Sequence, residues 1–215
     1  MRGVFITFEG LDKSGKTTQA RLLSEALART GREMVLTQQP GGSPLCAEIA
    51  RLTRDGRHFG MMAPLAELML YLADRAQHVH EVILPALESG KVVVCDRYTD
   101  STVAYQGYGR GLGLDTLVTL NGIATGGVTP ALTFFIDIPV EEAFRRGLGG
   151  AADRMEMEQA AFFDRVRQGY LRMAASDPGR VTVMDGREGV DRLSEKICAV
   201  VETALKIKDE SGIKN

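Results

Sequence analysis

Gly10-Leu11-Asp12-Lys13-Ser14-Gly15-Lys16-Thr17 is the stretch that decides how this chain folds. It is a complete GxxxxGK[ST], and it follows directly on an apolar run at 4–8 that reads as a buried strand. Behind it a helical pattern opens: over 17–29, Ala20, Leu23, Ala26 and Leu27 share one face, and Gly31 supplies the stop. Glycines let such a loop curl until successive backbone N–H groups point at phosphate oxygens, and the helix N-terminus adds positive potential. Gly10, Leu11, Asp12, Lys13, Ser14, Gly15, Lys16, Thr17 and Thr18 therefore form a phosphate cradle. Lys16 is placed to reach the β- and γ-phosphates and the Thr17 hydroxyl to bind Mg²⁺. Strand, loop and helix in this order predict binding of ATP or GTP.

Working outward, further apolar runs at 34–37, 92–95, 132–136 and 181–184 are β-branched or apolar throughout, as strands buried on both faces should be. Between them lie helical stretches. Over 64–88, Leu65, Leu68, Met69, Leu72, Ala76, Val79 and Ile83 form a stripe, with a bend predicted before Pro85. Alternation of this kind means a parallel sheet covered by helices on both sides, an α/β/α arrangement. No repeat or low-complexity linker interrupts it, so 1–215 reads as a single domain, ending in a polar, frayed tail at 206–215. Asp96, closing Val92-Val93-Val94-Cys95, sits where a second acidic residue would hold Mg²⁺. A base-reading Asn-Lys-x-Asp is missing, since neither Asn121 nor Asn215 is followed by Lys, which disfavours the GTP switch class.

Composition sets the outer bounds. Of 215 residues, 44% are apolar and 25% charged, which excludes a disordered chain. Twenty-six Lys and Arg against 28 Asp and Glu leave a net charge of −2, so bulk charge argues for neither a nucleic-acid nor a membrane partner. Cys46, Cys95 and Cys198 have no zinc-like spacing and read as reduced, packed thiols. The first residues lack the form of a signal peptide and no run approaches a membrane span, which predicts a cytoplasmic protein. His58, His78 and His80 have no ligand partner at useful spacing and read as surface or helix-flank residues.

Five ordered segments carry a family resemblance. They are Phe8-Glu9-Gly10 running into Gly15-Lys16-Thr17-Thr18-Gln19; Pro40-Gly41-Gly42; Ala73-Asp74-Arg75-Ala76-Gln77-His78; Asp96-Arg97-Tyr98 with Ala104-Tyr105-Gln106-Gly107; and Asp153-Arg154-Met155-Glu156 followed by Phe163, Arg165, Arg167 and Tyr170. Together, over about residues 3 to 205, they resemble the thymidylate kinase family. The resemblance implies a P-loop kinase fold with a five-stranded parallel sheet, a helical lid at about 145–157 and a homodimer. It implies ATP and Mg²⁺ as donor and cofactor and dTMP as the small-molecule acceptor. By the same resemblance, Tyr71 stands where a Phe usually stacks on thymine, and Arg75 where an arginine contacts a thymine carbonyl. Arg97 would hold the acceptor phosphate, with Asp12 beside it. Ser101, Thr102 and Gln106 match positions lining the base, and Tyr105 one near the sugar 2′ position. Residue chemistry agrees independently: Tyr71 and Arg75, spaced i,i+4, share a helix face where a ring can stack and a guanidinium can donate.

The chain also departs from that family's pattern. Members often carry a basic residue in the phosphate loop or arginines in the lid. Here the lid reads Arg145-Arg146-Gly147-Leu148-Gly149-Gly150-Ala151-Ala152, so Lys13 becomes the leading transition-state cation, ahead of Arg145, Arg146 and Arg154. Gln38 and Gln39 replace a common Arg-Glu, and Ala50 falls where an arginine often grips the acceptor phosphate. Arg51 comes one residue late, a turn of about 100° on a helix. Two other readings stand beside a dTMP kinase: a diverged kinase for another nucleotide or nucleoside, and a nucleotide-binding regulator without transfer. Intact Asp12, Lys16, Asp96 and Arg97 argue against the regulator.

Overall fold

The computed structural model describes residues 3–149 and 153–211, the last five of them as backbone only. Strands β1 (Val4–Glu9), β2 (Met34–Gln38), β3 (Val92–Asp96), β4 (Leu132–Asp137) and β5 (Val181–Asp185) pair in parallel in the order β2-β3-β1-β4-β5. Each runs one residue past its apolar run, and the added residues, Glu9, Gln38, Asp96, Asp137 and Asp185, are all polar. Their backbones still belong to the sheet and bring its carboxyl edge, where α/β folds place their ligands, to a polar end; of these side chains Gln38 and Asp96 line the cleft described below.

Both faces are covered. Ile6, Phe8, Val94, Phe134 and Ile136 pack with Ala20, Leu23 and Leu27 of α1 (Lys16–Arg29) and with Leu193, Ile197 and Val201 of α9 (Val190–Ser211). On the other face, Phe5, Val93 and Cys95 meet Val79, Ile83 and Leu87, while Phe135 meets Phe163, Val166 and Tyr170. Each fully buried side chain of this size contributes about 1.5–3 kcal/mol, which is why the central strands carry no polar alternation. The edge strands differ from expectation: Leu36 on β2 is 45% exposed and Val183 on β5 is 47% exposed, because each of these strands has a neighbour on one side only.

The long stripe at 64–88 also divides. It forms α3 (Pro64–His78), a π-helical turn (Val79–Ile83) and α4 (Leu84–Glu88). The wider turn falls just ahead of Pro85, which has no N–H to continue an ordinary ladder. Leu68 and Leu72 pack on Leu117 of α6 (Leu114–Thr125), whereas Leu65 and Met69 face outward. The remaining helices are α2 (Pro44–Arg54), α5 (Thr99–Thr102, prolonged by a π-helical stretch, Val103–Gly109), α7 (Val140–Arg145) and α8 (Ala160–Ser176). α9 carries on to Ser211, into the segment read as a frayed tail; 212–215 lie outside the described residues. Gly150, Ala151 and Ala152 of the lid reading lie outside them as well.

Candidate active site

β1 lies between β3 and β4, so the chain leaves its two neighbours in opposite directions and a crevice opens at the end of β1. The loop that fills it bends through positive φ at Gly10 (139°), Lys13 (65°) and Gly15 (104°). At Gly10 a Cβ would lie 2.5 Å from the Ile136 carbonyl oxygen, so only glycine lets the loop pass this close to β4. Gly15 caps α1, leaving the helix's first N–H groups facing the crevice. Lys16 is buried beneath the loop and donates from Nζ to the Leu11 carbonyl at 2.8 Å, with Asp12 Oδ1 4.0 Å away. Burial and the neighbouring Arg97 draw its pKa below the ordinary lysine value.

Parallel pairing sets Asp96 opposite Phe8, next to the loop. Thr17 Oγ1 donates to Asp96 Oδ2 at 2.5 Å, and Asp96 Oδ1 is buried without a hydrogen-bond partner. A hydroxyl beside an unpaired carboxylate oxygen fits a hard cation such as Mg²⁺. Among the described residues no group of three His, Cys, Asp or Glu side chains could hold a metal on its own, so a cation here would draw its remaining ligands largely from bound phosphate and water.

From the loop a cleft of about 300 Å³ runs toward α3. It is lined by Asp12, Lys16, Thr17, Tyr71, Arg75, Asp96, Arg97, Ser101, Thr102, Tyr105 and Gln106, all singled out from the sequence. It is also lined by Gln38, Gln39, Pro40, Arg54, Tyr98, Asp153 and Met155, which were not placed in the site. Gly10, Leu11, Lys13, Ser14, Gly15 and Thr18 are not part of this wall: they shape the loop above it, and Leu11 packs in the core.

Two of the cationic side chains of the cleft, Arg97 and Arg75, are tightly bonded. Arg97 adopts φ 71°, a left-handed conformation that is strained for a residue with a side chain. Its Nη2 donates to Asp12 Oδ1 at 2.8 Å and Tyr105 Oη at 3.3 Å, and its Nη1 to Ser101 Oγ at 3.0 Å and Tyr170 Oη at 3.3 Å. Burial alone would raise the Asp12 carboxyl, but Arg97, Lys16 and more weakly Arg54 hold it well below the usual carboxylate range. Buried Glu9 supports the cluster, accepting from the Tyr98 amide at 2.7 Å, Ser101 Oγ at 2.5 Å and Tyr170 Oη at 3.0 Å.

Arg75 differs from its sequence reading in how little of it is left over. Nε donates to Gln39 Oε1, Nη1 to Thr102 Oγ1 and Asn121 Oδ1, and Nη2 to the Tyr98 carbonyl, which leaves one N–H of five. Gln39 explains one departure: its Oε1 takes Arg75 while its Nε2 donates to Asp74 Oδ1 at 3.3 Å, a bond a second carboxylate could not make. Tyr71 stays neutral; burial and Glu67 push its hydroxyl up to about 12.

The arginines near the lid sort themselves. Arg154 is buried, with Nη2 2.7 Å from Glu67 Oε2 and Nε donating to the Thr53 carbonyl, so its charge is committed away from the loop. Glu67 also takes Gln106 Nε2 at 2.8 Å. Arg145 is a surface residue on Glu142. Arg146 comes nearer, donating to the Gly186 carbonyl at 3.0 Å and to that of Lys13 at 3.5 Å. Lys13 Nζ lies 3.2 Å from Glu156 Oε1.

His78 corrects the surface reading: it is fully buried, Nε2 2.7 Å from Thr37 Oγ1, and its ring fills the space a Cβ on Gly42 would need. Burial, then Arg75, pushes its pKa from 6.5 down to about 4. The unfolded chain therefore binds a proton at His78 that the folded chain refuses between those values. Stability should fall as pH drops from 6.5 to about 4, by up to about 3 kcal/mol. Melting curves across that window should show a shallower slope for His78→Gln; an unchanged slope would assign the proton elsewhere.

Glu9 carries no local signal of its role, because its burial depends on Tyr98, Ser101 and Tyr170 arriving from elsewhere in the chain. Arg54 did have a signal, since it lies i,i+4 from Ala50 and so on the same face of α2.

Two phosphate-bearing molecules can meet in this crevice, one on the loop and one in the adjoining cleft, and a fold that joins them so is that of a P-loop nucleoside monophosphate kinase. The thymidylate kinase family model matches residues 8–197. A thymidylate kinase from Geobacter sp. (strain M21) is 47% identical over 97% of this chain and 94% of its own length. One from Kosmotoga olearia is 47% identical over 94% and 97%. The crystal structure of thymidylate kinase from Ehrlichia chaffeensis superposes with a TM-score of 0.78 at 32% identity, covering 94% of this chain and all of that one. The chain belongs to the thymidylate kinase family.

Proposed function

We propose that the protein transfers the γ-phosphoryl group of ATP to the 5′-phosphate of dTMP, giving dTDP and ADP. The observation that carries this is the single cleft leading from the phosphate loop, past Asp12 and Arg97, to Tyr71 and Arg75. Family membership supports the same acceptor. In this reading the triphosphate lies on residues 10–18, with Lys16 against its β- and γ-oxygens. Thymine lies on the Tyr71 ring, taking the one free N–H of Arg75. Thr17 and Asp96 would hold Mg²⁺, which when bound neutralises charge on the phosphate oxygens.

An acceptor phosphate is already an anion near neutral pH, so no general base is needed. The depressed pKa of Asp12 fits that demand: it stays ionised and orients Arg97. Lys13 would leave Glu156 to follow the migrating group, with Arg146 the second cation at the loop. Residues 145–157 serve as the lid.

We further propose a cytoplasmic homodimer. Its face would be α3 and α6, which pack on each other yet expose Leu65 (55%), Met69 (45%), Val118 (63%) and Ile123 (72%); light scattering reads the mass directly. Among the described residues no helix is long and apolar enough to cross a membrane.

A coupled ADP-release assay over a panel of nucleoside monophosphates tests the acceptor. Tyr105, fixed by Asp12 and Arg97, should exclude a 2′-hydroxyl by sterics and by stranding a polar group. The preference for dTMP over UMP should be about 100-fold or more, and Tyr105→Ala should narrow it. Equal kcat/KM for both in the wild type would show that the pocket is misread.

A further inference from the structure

Three arginines line the cleft: Arg54, Arg75 and Arg97. An incoming phosphate carries several acceptor oxygens and is best held by guanidinium N–H groups, two at a time. Arg75 has one such group left, and both terminal nitrogens of Arg97 are already bonded to the protein. Arg54 is different. Among the described residues its guanidinium makes no hydrogen bond; its nearest carboxylate oxygen, on Asp153, is 4.0 Å from Nε, and its side chain is 44% exposed.

Its backbone, by contrast, is fixed. The Arg54 carbonyl accepts from the Arg154 amide at 2.8 Å, Arg154 Nε donates to the Thr53 carbonyl at 2.9 Å, and Asp55 pairs with Asp153 in an antiparallel bridge. A long cationic side chain thus springs from an anchored base at the end of α2 and is otherwise uncommitted. The rest of α2 offers no substitute: Ala50 is buried near Gly41, and Arg51 is a surface residue 3.2 Å from Glu48.

We infer that Arg54 binds the 5′-phosphate of the acceptor, bringing to it the donors that Arg75 and Arg97 have already spent. The inference rests on the dTMP kinase reading of the cleft. It also accounts for Ala50, because the guanidinium enters the cleft from one helical turn further on. On this reading Asp153 is a resting counter-ion at a distance too long to hold Arg54 once a phosphate arrives.

Titration calorimetry with dTMP and with thymidine, on the wild type and on Arg54→Gln, Arg54→Lys and Arg51→Gln, separates the phosphate contribution from the base. Arg54→Gln should weaken dTMP by about 10- to 100-fold and leave thymidine unchanged, the intact thymidine affinity also reporting an intact fold. Arg54→Lys should recover part of the loss and Arg51→Gln should match the wild type. Arg54→Gln binding dTMP within about twofold of the wild type would overturn the inference, and so would an equal loss for both ligands. A wild type that binds dTMP no more tightly than thymidine would sink the acceptor reading itself, and this inference with it.

Discussion

Lys16→Ala is expected to turn over about a hundred- to a thousandfold more slowly than the wild type while keeping its melting temperature nearly unchanged. Lys16 is buried. It contributes one hydrogen bond, to the Leu11 carbonyl, and a distant attraction to Asp12. Against these stands the cost of burying an ammonium group beside Arg97, seen in its lowered pKa. Removing the side chain therefore costs the resting fold little. In the transition state the balance reverses, because the migrating phosphoryl group spreads negative charge over oxygens that Lys16 would face. Steady-state kcat at saturating ATP and dTMP, with a melting curve on the same sample, separates the two. Lys13→Ala should lower kcat less, since Arg146 remains at the loop. A Lys16→Ala protein that melts normally and turns over at near wild-type rate would remove Lys16 from the chemistry.

Arg97→Gln should lose both activity and stability. Kinetically, kcat/KM for dTMP should fall by about a thousandfold, because this guanidinium sits between donor loop and acceptor cleft. Structurally, Asp12 would lose its 2.8 Å partner and stay ionised with Lys16 at 4.0 Å and, more weakly, Arg54 to answer it. Breaking that pair costs about 2–3 kcal/mol, or about 5–10 °C in Tm for a chain of this size. Adding Asp12→Asn distinguishes the two losses. The double variant should regain much of the Tm, because the orphaned charge is gone, and none of the activity. If activity returns with stability, Arg97 acts only by holding the fold and takes no part in the transfer.

The strand, loop and helix at 4–29 could be read from residue types alone because each feature is local. The β-branched run buries both faces, the glycines supply positive φ, and the apolar residues at helical spacing cover one side of the sheet. Strand interiors and the meeting of Thr17 with Asp96 at the loop followed from the same local rules, as did the shared helix face of Tyr71 and Arg75. Residue types did not show where each strand ends, because Glu9, Gln38, Asp96, Asp137 and Asp185 are polar and still belong to the ladder by their backbones. They could not separate the edge strands β2 and β5 from the buried ones, since exposure is set by neighbours and not by composition. Above all, they could not divide the arginines. Arg54, Arg75, Arg97 and Arg154 carry the same charge and the same five donors. Arg154 spends its donors on Glu67 and Thr53, Arg75 on Gln39, Thr102, Asn121 and Tyr98, and Arg97 on Asp12 and three hydroxyls, partners up to 101 positions away in the chain for Arg154. Which guanidinium remains available to a ligand is fixed by that long-range hydrogen bonding, and only the tertiary structure contains it.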